Sequence, residues 1–141
     1  LGDPMPKSIH GTIHKATILA SAPEKKKNGA WDTTMATEEF TDHEIEITED
    51  LKGSGDYAVE FDFRAGLHRL NIEKVQLLEN GEVISEDIHN GHTGGKDVDN
   101  IYTVKLKKHN PDAKYTLNIR TASDGGTDSQ GIITIGRKMF K

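Results

Sequence analysis

The chain has 141 residues, of which 18 are Lys or Arg and 23 are Asp or Glu, for a formal charge of −5. That length suits a single core, and the acidic balance supplies no general counterion-release force for nucleic acid. There is no cysteine, which excludes disulfides, thiol catalysis and cysteine-based zinc sites. No stretch approaches the run of about 18 apolar residues that a membrane-spanning helix needs.

Isoleucine, valine and threonine together number 31, against 18 for leucine and alanine, a balance that favours strands. Residues 1–8 read as a linker or cloning remnant without the charged-then-apolar pattern of a signal peptide. Residues 9–141 read as one β-sandwich domain, with a first strand over 9–20. Residues 22–42 read as a long excursion holding at most one short strand and the single tryptophan. Within it, 33–40 invites a helical turn or two, but Thr33, Thr34 and Thr37 argue against one.

Alternation then dominates. Ile45-Glu-Ile47 is brief, and Tyr57-Ala-Val59-Glu-Phe61-Asp-Phe63 is the clearest half-buried strand. Asn80-Gly81 between two apolar runs predicts a two-residue type I′ turn, because both positions need positive φ. That turn sets a register in which Leu78 faces Val83 and Glu79 faces Glu82. Tyr102-Thr-Val104-Lys-Leu106 and Tyr115-Thr-Leu117-Asn-Ile119 alternate again, and 131–135 makes a last strand. Turn signals roughly every ten residues predict an antiparallel sandwich or barrel of about eight strands, and the expected fold is taken as an all-β, two-sheet antiparallel sandwich of jelly-roll type.

Three constellations carry chemical potential. Asp87-Ile-His89-Asn-Gly-His92 places Asp87 and His89 on one strand face, with His92 reaching back from a loop. Two imidazoles and a carboxylate suit zinc and would allow a small metal-dependent hydrolase. The competing reading has Asp87 and His89 making strand-end hydrogen bonds. Two Asp/Gly-rich loops hold Asp97 and Asp99, and Asp124 and Asp128, hard oxygen donors that suit calcium. There the competing reading is turn capping by the same side chains. No cofactor is required, and any bound ion would be a structural calcium. Trp31, in Asn28-Gly-Ala-Trp-Asp32, is a candidate platform for a sugar ring, with Asp32, Arg69 and His92 as candidate partners for its hydroxyls; the alternative is a tryptophan that plugs the core. No nucleophile elbow, phosphate loop or dinucleotide fingerprint is present.

The stretch Gly66-Leu-His68-Arg69-Leu-Asn71-Ile-Glu73-Lys-Val75-Gln-Leu-Leu-Glu-Asn80-Gly81 continues into Asp87-Ile-His89-Asn-Gly91-His-Thr93-Gly94. Asn100-Ile-Tyr102, Lys114-Tyr115-Thr-Leu and Asp124-Gly-Gly-Thr-Asp128-Ser-Gln-Gly131 follow. Together they resemble a β-sandwich accessory module found towards the C-terminus of bacterial family 20 glycoside hydrolases, the β-N-acetylhexosaminidases or chitobiases. The resemblance covers about residues 53–136. It implies a non-catalytic piece of a larger exported enzyme, periplasmic or at the cell surface. That family's catalytic Asp-Glu pair belongs to a separate barrel, and no matching motif occurs here. The role implied is binding of carbohydrate, such as an N-acetylglucosamine-containing glycan, or packing against the parent's catalytic domain. The alternative is a structural spacer with no ligand.

Overall fold

The computed structural model describes residues 30–31, 36–95 and 97–137. The expected linker over 1–8, the expected strand over 9–20 and Asp32 lie outside the described residues. The strands are β1 (Ala30–Trp31), β2 (Thr41–Glu46), β3 (Gly55–Ala65), β4 (Leu70–Glu79), β5 (Glu82–His92), β6 (Ile101–Leu106), β7 (Tyr115–Ser123) and β8 (Gln130–Arg137). The sole helical element among the described residues is a 3-10 turn at Thr48–Asp50, so 36–40 forms no helix.

Two antiparallel sheets form, in the orders β1-β8-β3-β6 and β2-β7-β4-β5. The chain folds back at Asn80-Gly81, and β4 with β5, β3 with β6, β2 with β7 and β1 with β8 all pair. This is a four-pair antiparallel ribbon rolled on itself, the jelly roll expected from the sequence. The turn is as predicted, with φ of 51° at Asn80 and 88° at Gly81. Leu78 faces Val83 and Glu79 faces Glu82.

Period-two alternation turns one face of each strand inward. Tyr57, Val59 and Phe61 of β3 meet Tyr115, Leu117 and Ile119 of β7 and Leu70, Ile72, Val75 and Leu77 of β4 in one buried cluster. In β4 the inward spacing slips between Ile72 and Val75, where Glu73-Lys74 inserts one extra residue. The slip is a bulge seen against both β5 and β7.

Rolling the ribbon gathers the β1–β2, β3–β4, β5–β6 and β7–β8 connections at one end of the sandwich. Pairs such as Leu70↔Ser123 and Asn71↔His92 mark that end, and the Ser123 N–H donates to the carbonyl of Thr37 in the β1–β2 connection, 2.7 Å away. Trp31, Arg69, Asp97, Asp99, Asp124 and Asp128 all belong to, or adjoin, these four connections.

Candidate functional site

At the gathered end, Phe63, Gly66, Leu67, His68, Arg69, Gly94, Gly95 and Asp124 line a cleft of about 430 Å³. Its chemistry starts with Gly66, whose φ of 112° lets the chain leave β3 in a direction other residues resist. Asp128 fixes the turn that follows. Its carboxylate accepts the N–H groups of Leu67 at 2.8 Å and His68 at 3.1 Å, and meets the His68 ring Nδ1 at 3.0 Å. The Leu67 N–H, the His68 ring and the His68 N–H together hold the Asp128 carboxyl below the usual carboxylate range.

His68 and Arg69, adjacent in sequence, are clamped by different loops. A side chain at Gly126 would collide with the His68 ring, and one at Gly94 would come within 3.0 Å of Arg69 Cβ. Arg69 Nε lies 2.5 Å from Asp124 Oδ2. That nitrogen is buried and has no aligned hydrogen bond, so the contact is an ion pair only. The cleft therefore offers guanidinium and imidazole nitrogens, each tethered to one carboxylate, and shares its lining with the half-buried Phe63. Leu67 stands at the rim, 88% exposed.

A second group sits along β5, facing β6. Asp87 Oδ1 meets His89 Nδ1 at 2.9 Å, and Asp99 Oδ1 meets His89 Nε2 at 3.2 Å. Burial lowers the His89 pKa, but the hydrogen bond and charge of Asp87, with those of Asp99, outweigh it and raise the pKa above its ordinary value. The ring stacks on Tyr102 at 3.9 Å between centroids. The Tyr102 hydroxyl, fully buried, accepts the Gly91 N–H at 3.0 Å and donates towards the carbonyls of Ile72 and His89. Burial pushes this phenol well above its ordinary range, against the opposing effect of the Gly91 N–H. Asp87 Oδ2 and Ser85 Oγ accept the N–H groups of Thr103 and Lys105, at 2.9 and 2.8 Å. Polar side chains of β5 thus satisfy the open edge of β6, closing the sandwich where the two sheets do not pair. Asp87 and His89 act as hydrogen-bonding groups of the frame.

The two groups are separate: Asp87 bonds the His89 ring and the Thr103 N–H, whereas the glycine-rich loops are not joined through them. The loops meet instead around His68 and Arg69. β4 begins at Leu70, and the N–H groups of Leu67 and His68 before it are taken by Asp128. His92 ends β5 and exchanges both backbone hydrogen bonds with Asp99, and its buried Nδ1 has no hydrogen-bond partner among the described residues. Asp97 is exposed. Among the described residues, no three His, Asp or Glu side chains gather in a way that could hold a metal ion.

Of the four predicted sugar contacts, Arg69 lines the cleft, and His92 lies at the foot of the loop that carries Gly94. The backbone of Trp31 pairs with Gly131, which pairs in turn with Phe63. Two strand spacings, about 10 Å, therefore separate the Trp31 and Phe63 backbones. Sequence reading missed Phe63 as a site residue; its signal is its place as the last apolar residue of the β3 alternation, three residues before Gly66. A larger hollow, about 670 Å³, opens at the opposite end between Glu79, Ile84, Lys105 and Pro111. Lys107 and Lys108 in its lining have no ion-pair partner among the described residues, unlike Arg69 and His68 in the smaller cleft.

Among the described residues no helix is long and apolar enough to cross a membrane. No protein-family model and no curated protein matches the chain.

Proposed function

We propose that the chain is a non-catalytic, carbohydrate-binding accessory module of an exported bacterial glycan-degrading enzyme, and that its ligand sits in the cleft at the gathered end. The observation that carries this reading is the pair of clamped donors, Arg69 and His68, lining one cleft with Phe63. A sugar ring has an apolar face and a rim of hydroxyls, and it matches an aromatic floor with fixed polar groups beside it. Donors held rigid before binding lose little entropy when the ligand arrives. The resemblance to the accessory module of β-N-acetylhexosaminidases supplies the choice of N-acetylglucosamine oligomers as the first ligands to test. Catalysis would belong to another domain of the parent, against which this module packs.

Affinity electrophoresis and calorimetry with N-acetylglucosamine oligomers test the reading. Millimolar or tighter binding, lost in Arg69→Ala while the melting temperature stays within a few degrees, is the expected result. No binding by the native chain would leave a spacer that holds the catalytic domain at a set distance. Turnover of a chromogenic N-acetylglucosaminide would overturn the non-catalytic reading.

A further inference from the structure

Resting on the carbohydrate reading, we infer that the cleft takes one terminal sugar ring, and that the module recognises the end of a glycan chain rather than a length of chain laid along a sheet. A chain-long site needs several ring platforms spaced along a face, with unsatisfied polar groups between them. Among the described side chains Tyr57, Phe61, Tyr102 and Tyr115 are buried in the core. Phe40 lies beneath the guanidinium of Arg120, 6.0 Å from its ring centre. Phe63 alone combines partial burial against the core with a place in the cleft.

The outer face of the β2-β7-β4-β5 sheet is the natural track for an extended glycan, yet its polar groups are paired with one another. Asn118 donates to Asp42 and to Gln76, and Gln76 donates to Glu86, across all four strands. Arg120 bridges Asp42 and Glu73 at 2.9 Å each. A glycan lying there would have to break these bonds to form its own. The cleft differs. Arg69 has its one ion pair through Nε, and His68 has its ring contact through Nδ1, so the remaining nitrogens of both face no partner among the described residues. Leu67, held by Asp128 on a fixed turn, adds a second apolar side chain to a lining that already holds Phe63. Two apolar side chains and two donors fit one ring.

The test is a binding series from the disaccharide to the hexasaccharide of N-acetylglucosamine, with a soluble partially acetylated chitosan of known chain number as the last member. Dissociation constants that agree within about twofold along the series, and saturation of the polymer near one module per chain, support end recognition. Affinity that climbs tenfold with length, or many modules per polymer chain, overturns it while leaving the carbohydrate reading intact. No binding by any member overturns both. Leu67→Ala supplies a separate check, because the side chain is 88% exposed and its loss should leave the melting temperature unchanged. Affinity should fall roughly tenfold for the methylenes withdrawn from contact, and an unchanged affinity would remove Leu67 from the site and count against the single-ring geometry.

Discussion

Replacing Tyr102 with phenylalanine removes one oxygen from the seam between the two sheets, and the structure sets what that should cost. The hydroxyl accepts the Gly91 N–H at 3.0 Å and donates towards the carbonyls of Ile72 and His89, one on each of the strands β4 and β5. Gly91 is buried and closely covered: a Cβ there would stand 2.5 Å from both the Tyr102 hydroxyl and the Asp99 carbonyl. The orphaned N–H would thus have no solvent to turn to. An unsatisfied buried donor costs about 1–3 kcal/mol, and the lost donation to a carbonyl adds roughly another 1. A total near 2–4 kcal/mol follows. For 141 residues, at about 2.1 cal/mol/K of unfolding entropy per residue, that lowers the melting temperature by roughly 7–14 °C. Calorimetry and urea unfolding with an unchanged m-value would measure it. A loss below about 0.5 kcal/mol would refute the view that this hydroxyl ties the edge of the sandwich.

The hairpin gives a cleaner test of backbone strain, because nothing lies within 4 Å of a Cβ built at Gly81 while its φ is 88°. Gly81→Val should cost about 1 kcal/mol or more through conformation alone, and an unchanged melt would reject the type I′ assignment. His89 has a raised folded pKa, so its contribution is fully present below the ordinary value of 6.5 and is lost as pH rises through the folded value. Stability measured from pH 6 to pH 9 should therefore decline more in the native chain than in His89→Gln, and parallel profiles would show that the Asp87–His89–Asp99 contacts carry no charge. Asp124 and Asp128 already face Arg69, His68 and the Leu67 N–H, so melts in calcium and in chelator should coincide. Stabilisation of roughly 2.7 kcal/mol at about 100 times the dissociation constant would restore a calcium site.

Much of the frame was legible because strict alternation and Asn80-Gly81 are local signals. The turn chemistry alone placed Leu78 against Val83, and turn spacing predicted a sandwich or barrel of about eight strands. The β4 bulge was also written in the chain, as the doubled polar step Glu73-Lys74 between Ile72 and Val75, but a period-two reading passes over a single slip. The site was less legible because its partners are far apart: Asp128 lies 60 residues from His68. Whether Asp124 and Asp128 would gather around an ion or hold His68 and Arg69 depends on the roll of the sheets, which no local pattern encodes. Arg69 was named as a partner for sugar hydroxyls and Asp124 separately as an ion ligand, and no local pattern joins the two. Phe63 was not named, because within the strand it reads only as the last core residue. His89 shows the reverse case, where a spacing suited to a metal serves hydrogen bonds along the β5–β6 seam.

The most direct measurement is a backbone amide map of the native chain, titrated with N-acetylglucosamine oligomers and read by NMR chemical shifts. The account predicts that the largest changes fall on residues 63–69, on Gly94 and Gly95 and on 124–128, the three segments that meet around His68 and Arg69. Changes centred on Asn118, Gln76 and Glu86 across the outer face, or no changes at millimolar ligand, would contradict it.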